Sequence, residues 1–365
     1  MNLPIVRPNV NRYTEELMPI MKEIFDSNML TNVYNYSRKF EKAVEEYTGV
    51  KNAVAVSSGT SGLILLLEAL GIREKEVIIP SFTFVATAAA AYWTNNRIIF
   101  GDIDSTFTLD PKDLEDKINK RTGIVLAVHM YGNPAHIKEL REIAEDHNIP
   151  LIFDAAHAFG SEYFEKKLGN FGNAEVFSLS PTKLLTSVEG GIITTNNDEL
   201  AKKLRVMRNY GMFPDYTSKW PGLNARMSEV HAAVGLVQMK DMDTFVSNRL
   251  KYVSIYKEHL SKVKGIKFQE IPPGHKSSHK DFSVVVNPDE FTMTRDELGK
   301  SLEESGVGVK KYFYPPIHRL KAYEDKEAKL PMTDYVSDNI LSLPIYNFME
   351  KDEIMHIINI IRQSR

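Results

Sequence analysis

Short apolar segments alternate with helical patterns through the first half of the chain, and this alternation restricts the fold more than any other feature. The apolar segments are AVAVS at 53–57, VIIP at 77–80, RIIFGD at 97–102, IVLAVH at 124–129, PLIFD at 150–154, EVFSL at 175–179 and GIITT at 191–195. Helical patterns separate them at 61–70, 85–95, 136–147 and 198–209. Continuous apolar strands that alternate with helices indicate a mostly parallel sheet with helices on both faces. The sequence therefore predicts an α/β fold.

The pattern changes in the second half of the chain, where a smaller unit begins. Residues 225–263 predict one long or slightly broken helix, followed by the strand-like segments IKFQEI and DFSVVVN on either side of a PPGHKSSHK loop. A helix at 294–305, the loop YFYPPIH and a terminal helix from Lys351 complete an α+β pattern. The 365 residues are enough for two domains. We expect a large domain over 1–245, which includes the N-terminal segment, and a small C-terminal domain over 246–365.

Composition and charge argue against several classes of protein. The formal net charge is −3, and acidic and basic residues are interspersed without a basic block, which argues against nucleic-acid binding. There is no cysteine, so disulfides and thiolate metal sites are excluded. No apolar run approaches the roughly 18–20 residues of a membrane helix, and MNLPIVRPNV lacks the pattern of a signal segment. We therefore expect a soluble, cytoplasmic protein that does not bind membranes.

The first motif that carries chemistry is VSSGTSGLILLLEAL at 56–70, in which a strand, a Ser/Gly/Thr turn and an apolar helix follow one another. The turn places backbone N–H groups and the hydroxyls of Ser58, Thr60 and Ser61 at a helix N-terminus, which is a favourable position for a phosphate. An ordinary N-cap explains the same residues and is commoner. The motif matches neither GxGxxG nor a Walker A loop, so it does not indicate a dinucleotide or P-loop site.

The second motif is PLIFDAAHAFG at 150–160, where Asp154 ends an apolar strand and His157 follows one helical turn later. Ligands of open α/β sheets bind at the carboxyl ends of strands, and a carboxylate in an apolar frame needs a cation or hydrogen-bond donors. The alternatives are a helix N-cap for Asp154 and a packed, hydrogen-bonded side chain for His157. No second cluster of histidines or carboxylates has the spacing of metal ligands, so we expect no metal.

The third motif is FSLSPTKLLTSVEGG at 177–191, in which Lys183 is surrounded by hydroxyl and apolar residues. Such surroundings disfavour the ammonium form and lower the pKa of a lysine. A neutral amine attacks carbonyl carbons, as Schiff-base chemistry requires. The alternative is a lysine that extends its ammonium group into water from an amphipathic strand.

The three motifs together decide between these alternatives. A pyridoxal phosphate site needs donors for the phosphate, a carboxylate for the pyridine nitrogen and a lysine for the aldehyde. The chain supplies all three in that order. The segment PSFTFVAT at 80–87 adds Phe84 as an aromatic face for the ring, although the same residue is an ordinary core candidate. The set therefore predicts a pyridoxal phosphate enzyme whose large domain binds the cofactor.

These motifs resemble one known family over nearly the whole chain. VAVSSGTSGL, PSFTFVATAAA, DIDSTFTLDP, HMYGNPA, DAAHAFGS, FSLSPTKLLTSVEGG, LNARMSEVHAA, YFYPPIH and SLPIY are similar to the DegT/DnrJ/EryC1/StrS sugar aminotransferases. The resemblance implies a fold-type I enzyme that depends on pyridoxal phosphate.

The resemblance also implies roles for individual residues. Lys183 matches the lysine that joins the cofactor's aldehyde and then moves a proton between donor and cofactor, and Asp154 matches the partner of the pyridine nitrogen. The positions that match ring and phosphate contacts are His157, Phe84, Gly59, Thr60 and Ser178. Asn224 matches an asparagine that reaches the phosphate in the neighbouring subunit, which implies a homodimer with shared active sites. Tyr312, Tyr314 and His318 match a stretch that lines the acceptor site.

The implied reaction transfers an amino group from an amino acid, usually glutamate, to a keto sugar linked to a nucleotide. The sequence PTK…EGG is more similar to that of members that aminate C4 of a 4-keto-6-deoxyhexose. Such enzymes make amino sugars for polysaccharides or O-antigens. A 3-keto nucleotide sugar or a keto-cyclitol stays open as acceptor, and a dehydratase of the same fold or a non-catalytic regulator is a weaker alternative. Many members carry histidine at the position of Ser180 and glycine at that of Val188, so both positions are candidates for substrate choice.

Overall fold

The computed structural model describes residues 2–364. Its strands are β1 (Asn52–Val56), β2 (Glu76–Pro80), β3 (Arg97–Gly101), β4 (Thr122–Val128), β5 (Leu151–Asp154), β6 (Glu162–Tyr163), β7 (Lys166–Lys167), β8 (Ala174–Ser178), β9 (Gly191–Thr195), β10 (Ile266–Phe268), β11 (His275–Lys276), β12 (Phe282–Val286) and β13 (Ile340–Leu343). Its α-helices are α1 (Thr14–Ser27), α2 (Asn35–Thr48), α3 (Gly59–Ala69), α4 (Val85–Trp93), α5 (Pro111–Lys117), α6 (Ile137–Asp146), α7 (Asp198–Met207), α8 (Glu229–Gln238), α9 (Met242–Leu260), α10 (Pro288–Phe291), α11 (Arg295–Glu304), α12 (Pro331–Asn339) and α13 (Lys351–Gln363).

The central sheet has seven strands in the order β1-β9-β8-β5-β4-β2-β3. Every neighbouring pair is parallel except the two that involve β9, which runs antiparallel to β1 and to β8. All seven apolar segments of the sequence overlap these strands, so the predicted α/β fold with a mostly parallel sheet is confirmed.

The helix predictions in the first half also hold, since α3, α4, α6 and α7 overlap the four predicted patterns. The long helix is broken, because a 3-10 turn at Met239–Asp241 separates α8 from α9. Local signals explain the starts of two helices: Ser58 caps α3, and Thr294 with Glu297 forms a capping box at α11. No helix within residues 2–364 combines the length and the apolar character that a membrane crossing needs.

Side chains of the sheet alternate between two apolar cores, one on each face. Ala53 and Ala55 of β1 pack into the core that contains Phe40 of α2, whereas Val54 packs on the opposite face with Leu63 of α3. Because both faces are covered, the strands are apolar throughout and read as continuous runs.

The C-terminal part has its own three-stranded antiparallel sheet in the order β10-β12-β13. Strand β13 was not predicted, because its four residues lie directly after a helix and show no alternation. A second small sheet, β11-β6-β7, was also missed, since its two-residue strands are too short for a periodic signal.

Helix α9 joins the two parts. Its Phe245 packs in a core of the large sheet, whereas Tyr252 and Tyr256 pack beside the three-stranded sheet. Leu3 lies in this second core too, so the N-terminal segment contacts the C-terminal part. The domain division at 245/246 stays a prediction, and we propose it because the packing partners of α9 change just beyond it.

Candidate active site

The carboxyl ends of several sheet strands surround one cavity of about 430 Å³. The N-terminus of α3 follows β1, Asp154 ends β5 and Ser178 ends β8. Most of the predicted site residues line this cavity, namely Gly59, Thr60, Phe84, Asp154, His157, Ser178, Lys183 and Tyr312. The remaining three, Asn224, Tyr314 and His318, do not line it. The sheet therefore brings together the three motifs that were recognised in the sequence.

Lys183 lies in the cavity wall, partly buried, on the loop at 179–190 that joins β8 to β9. Burial lowers the pKa of Lys183 to about 7, and the positive charge of Lys280 adds to this effect. Asp281, Asp154 and Glu189 act in the opposite direction. A large fraction of this amine is therefore neutral near pH 7 and can attack a carbonyl carbon.

The lysine loop, defined as residues 179–190, is closed by hydrogen bonds between its ends. Leu179 N donates to Gly190 O (2.9 Å), and Ser187 N donates to Leu179 O (2.9 Å). Within the loop, Lys183 N donates to Ser180 O (3.0 Å). The backbone thus fixes the position of the amine without a helix or strand at Lys183 itself.

The two unusual residues of the lysine loop have different surroundings. Ser180 lines the cavity, whereas Val188 is 44% exposed and has a φ of 69°. That left-handed conformation is costly for a β-branched residue and suits glycine. The glycine that the resemblance implies at this position therefore has a physical reason, and Val188 adopts the conformation under strain.

Gly191 ends the loop where the chain meets the N-terminus of α3. A Cβ at this position would lie 2.6 Å from the carbonyl carbon of Ser58 and 2.7 Å from Gly59 N. Backbone atoms cannot give way as a flexible side chain can, so only glycine allows β9 to approach α3 this closely.

Asp154 is 4% exposed, and its carboxylate is held by two donors. Thr87 Oγ1 donates to Oδ2 (2.8 Å), and Ala156 N donates to Oδ1 (3.1 Å). Burial raises the pKa of Asp154, and the two hydrogen bonds oppose that rise. Within residues 2–364 no lysine, arginine or histidine nitrogen lies within 4 Å of this carboxylate. A buried carboxylate in this setting suits a cationic ligand.

His157 is buried and neutral. Its ring stacks against Tyr131 and Phe313, with centroid distances of 6.2 and 6.0 Å. Tyr131 N donates to Nδ1 (3.3 Å), so the proton of the neutral ring is assigned to Nε2. Burial, together with the charges of Lys183 and Lys280, lowers the pKa of His157 well below its usual range. The side chain can therefore offer a flat, uncharged face to a bound ring.

The N-terminus of α3 forms the anionic end of the site. The Ser58 hydroxyl accepts from Ser61 N (3.0 Å), while the N–H groups of Gly59 and Thr60 have no acceptor among the residues that the structure describes. Ser178 lies so close to Gly59 that a Cβ on the glycine would come within 3.0 Å of the serine Cβ. Two free amides and the hydroxyls of Thr60 and Ser178 thus surround a space for an anion.

The aromatic residues of the site extend beyond the cavity into a second depression, which we call the outer groove. The groove has a volume of about 510 Å³, shares Phe84 and Tyr312 with the cavity, and adds Lys310, Lys311 and Tyr314. Phe84 is 53% exposed and contacts the ring of Phe313.

His318 and Asn224 lie apart from the cavity. His318 is buried, with Nδ1 bonded to the Ser81 hydroxyl (2.7 Å) and Nε2 3.3 Å from Asp334. Asn224 is exposed, and its side-chain oxygen accepts from Arg226. These contacts give His318 a structural role in holding the turn after β2.

Two polar residues of the site, Thr87 and Lys280, were not predicted from the sequence. Thr87 lies in the segment PSFTFVAT, but a threonine inside a helix gives no signal of a bond to a distant aspartate. Lys280 lies in a loop of the C-terminal part and reaches the cavity only through the tertiary fold. Neither residue has a local pattern that identifies it.

The residues present fit pyridoxal phosphate. The amides of α3 and Ser178 match a phosphate, the unpaired carboxylate of Asp154 matches a protonated pyridine nitrogen, and Lys183 matches an aldehyde. His157 and Phe84 lie where aromatic faces are needed. All these groups line one cavity.

Comparison with known proteins gives matches over almost the whole chain. The model of the DegT/DnrJ/EryC1/StrS aminotransferase family matches residues 11–362. The dTDP-4-amino-4,6-dideoxy-D-glucose transaminase of Shigella dysenteriae is 32% identical over 99% of this chain and 98% of its own length. The GDP-perosamine synthase of Escherichia coli O157:H7 is 31% identical over 99% and 98%. The crystal structure of DesI in the presence of its TDP-sugar product is 33% identical, with a TM-score of 0.91 over 96% of this chain and 89% of that one.

Proposed function

The chain belongs to the DegT/DnrJ/EryC1/StrS aminotransferase family and is a pyridoxal-phosphate-dependent sugar aminotransferase, and from this premise we propose its substrates. The donor is an amino acid, L-glutamate, and the acceptor is a nucleotide-linked 4-keto-6-deoxyhexose. The observation that carries the proposed chemistry is the placement of the Lys183 amine and the buried Asp154 carboxylate in one cavity. The C4 assignment is supported by the name of the Shigella relative, which places the amino group on C4 of a dideoxy sugar linked to dTDP.

When bound, pyridoxal phosphate supplies an aldehyde and an electron-withdrawing ring that holds the amino group between the two half-reactions. We propose that Lys183 would hold the cofactor's aldehyde through its neutral Nζ, with loss of water, and that the donor's amino group would displace it. The freed Nζ would then accept a proton and return it. Its pKa of about 7 suits both tasks, because a proton is taken up and released readily near the working pH. Asp154 holds the positive charge of the pyridine nitrogen, and Thr87 orients its carboxylate.

The other residues position the cofactor. We propose that the free amides of Gly59 and Thr60 and the hydroxyl of Ser178 bind the phosphate, since the helix N-terminus favours an anion. His157 covers one part of the ring as a neutral imidazole, and Phe84 shields another. These apolar faces exclude water from the reacting carbon.

The outer groove supports a nucleotide-linked acceptor. Lys310 offers positive charge for a diphosphate, whereas the Nζ of Lys311 is paired with Asp296 at 2.6 Å. Tyr314 offers an aromatic surface for a base. The groove shares Tyr312 with the cavity, so a sugar in the cavity and a nucleotide in the groove form one continuous substrate. We propose that Tyr312 and Tyr314 contact this acceptor.

A homodimer with shared sites is also proposed. Asn224 lies on a surface where Leu30, Tyr210 and Leu223 are all exposed, with Arg226 over the ring of Tyr210 at 5.5 Å. A cluster of exposed apolar side chains is typical of an interface. Light scattering tests whether the protein is a dimer. Mixing Lys183→Ala chains with Asn224→Ala chains tests whether each active site takes residues from both subunits. Recovery of activity in the mixture is expected, whereas a monomer of full activity contradicts the proposal.

The cellular setting follows from the substrate class. We propose a cytoplasmic enzyme of polysaccharide or O-antigen biosynthesis, since its proposed substrate is a nucleotide-activated sugar. Cell fractionation with an antibody to the chain checks the location.

The decisive experiment separates donor from acceptor. Purified protein with bound cofactor is expected to be yellow and to bleach with glutamate. A panel of 4-keto and 3-keto nucleotide sugars and keto-cyclitols is then tested for return of the colour and for aminated product. Return of the yellow colour with the 4-keto compounds supports the proposed acceptor. Return only with a 3-keto sugar or a keto-cyclitol contradicts it and identifies that compound class as the acceptor. A dehydratase of this fold is disfavoured, because Lys183 stands where the resemblance puts histidine in those relatives.

A further inference from the structure

The cavity contains a second lysine, Lys280, which none of the roles above uses. Among the described residues that line the cavity, Lys183 and Lys280 are the only lysines or arginines. Lys183 reacts as the neutral amine, and His157 is neutral because burial lowers its pKa. Lys280 is therefore the cationic side chain that this chain offers to an anion inside the cavity.

Lys280 is held in a fixed position. It is 4% exposed, and its Nζ contacts both carboxylate oxygens of Asp281 at 2.8 and 2.9 Å. The same Nζ lies 5.0 Å from the ring centroid of Tyr312. Its backbone N–H donates to Tyr131 O (2.9 Å). A lysine with this many contacts is not a solvent-exposed side chain that happens to face a cavity.

Among the described residues, Lys280 and the neighbouring Arg249 have one carboxylate between them within ion-pair distance, although Asp154 and Glu189 also line the cavity. Arg249 is 2% exposed and donates to the carbonyl oxygens of His279 and Lys280 (2.8 Å each). Within residues 2–364, no carboxylate lies within 4 Å of Arg249, and Asp281 is the one within 4 Å of Lys280. Two buried cations thus share one carboxylate. Buried charge without a partner is costly, so an anionic ligand stabilises this arrangement.

We propose that Lys280 binds the α-carboxylate of the amino-acid donor. This inference rests on the proposed aminotransfer from an amino acid. The α-carboxylate is bonded to the carbon whose amino group is removed, so it must lie inside the cavity close to Lys183. The phosphates of a nucleotide sugar are separated from the reacting carbon by the sugar ring and reach the outer groove. The cofactor's phosphate has its own donors at α3.

Three variants test the proposal. Lys280→Met removes the charge with similar length, Lys280→Arg keeps it, and Lys280→Met/Asp281→Asn removes the carboxylate that would otherwise stay buried alone. Each is assayed as holoenzyme at pH 7 and at pH 9. Loss of the neighbouring charge acts on the protonation of the Lys183 amine only when that amine is free, so such an effect depends on pH, whereas a lost contact with the donor acts at both pH values. KM is measured separately for glutamate and for the keto sugar.

The expected result is a rise of about tenfold or more in the KM for glutamate in both methionine variants, since a charge-assisted hydrogen bond is lost. The KM for the acceptor changes little, the yellow colour persists, and the arginine variant retains most donor affinity. The matched variant Lys310→Met in the outer groove shows the reverse pattern, with a raised KM for the nucleotide sugar only.

Other outcomes overturn the proposal in distinguishable ways. An unchanged KM for glutamate in the soluble double variant removes Lys280 from donor binding, and a rise for the acceptor alone assigns it to the sugar. If the wild-type protein accepts no amino group from glutamate or other amino acids, the proposed function fails instead. If only Lys280→Met is insoluble, the double and arginine variants still decide the question.

Discussion

The replacement Thr87→Val tests whether Asp154 is tuned by a partner that contacts no ligand. Thr87 Oγ1 donates to Asp154 Oδ2 at 2.8 Å and also bonds to the Thr83 hydroxyl at 3.1 Å. Valine has nearly the same shape, so the change removes the hydroxyl and leaves the packing of α4. Asp154 then keeps one of its two hydrogen bonds, the one from Ala156 N.

The size of the effect follows from the buried setting. A hydrogen bond to a charged group contributes about 1.5–3 kcal/mol, and each 1.4 kcal/mol is a factor of about ten. Loss of the bond therefore weakens the pairing of Asp154 with the cofactor about ten- to a hundredfold. The pKa of Asp154, already raised by burial, rises further. Because its folded-state pKa is higher, the apoprotein variant is less stable than wild type at neutral pH. The difference shrinks as pH falls through the raised pKa of Asp154 and is small by about pH 4.

Cofactor affinity is measured by titrating apoprotein with pyridoxal phosphate, and unfolding free energies are measured in urea from pH 7 down to about 4. The control is Thr94→Val at the opposite end of α4, where the hydroxyl is also buried but bonds only to backbone carbonyls and to Asn96. The control is expected to lose stability at every pH without losing cofactor affinity. Equal cofactor affinity in Thr87→Val and wild type refutes the reasoning, as does a stability loss that is independent of pH.

Three further results are expected. Asp154→Asn binds cofactor at least as weakly as Thr87→Val and, when saturated with it, turns over about a hundredfold slower or worse, because the charge of the ring loses its partner. Near-normal turnover contradicts this. Apoprotein reconstitutes faster as pH rises through about 7, since the neutral amine of Lys183 is the reactive form, and a flat profile in absorbance-monitored mixing argues against it. Gly191→Ala is destabilised by about 1–3 kcal/mol in thermal melts and binds cofactor poorly, because its Cβ meets backbone. Gly299→Ala instead gains about 0.5–1 kcal/mol with unchanged turnover, since its Cβ meets nothing closer than 3.5 Å.

The parts of the site that were predictable lie at the ends of strands. Asp154 and Ser178 follow apolar runs whose type and length are visible in the sequence, so their edge of the sheet could be inferred. Lys183 was recognisable because its neighbours are uncharged over several positions. Each of these signals is local, so it can be recognised in the sequence without knowledge of the tertiary fold.

The unpredicted parts depend on contacts between distant segments. Thr87 and Asp154 are 67 residues apart, and nothing in either segment specifies the bond between them. Lys280 enters the cavity from the C-terminal part of the chain, in a loop whose sequence is typical of an exposed turn. The strand β13 was missed for a related reason, because its pairing with β12 is set by burial and not by alternation.

The single reversed strand of the central sheet has a consequence for the order of folding. Because β9 is antiparallel to β8, the lysine loop is a hairpin connection between neighbours in sequence. Such contacts close short loops and form quickly, whereas β5 needs parallel partners brought from β4 and β8 over longer stretches of chain. The segment that carries Lys183 is thus expected to fold before the strand that carries Asp154 pairs with its neighbours. The hairpin can thus fix the backbone at Lys183 before the cavity exists, and the amine becomes reactive only when the completed sheet and Lys280 enclose it.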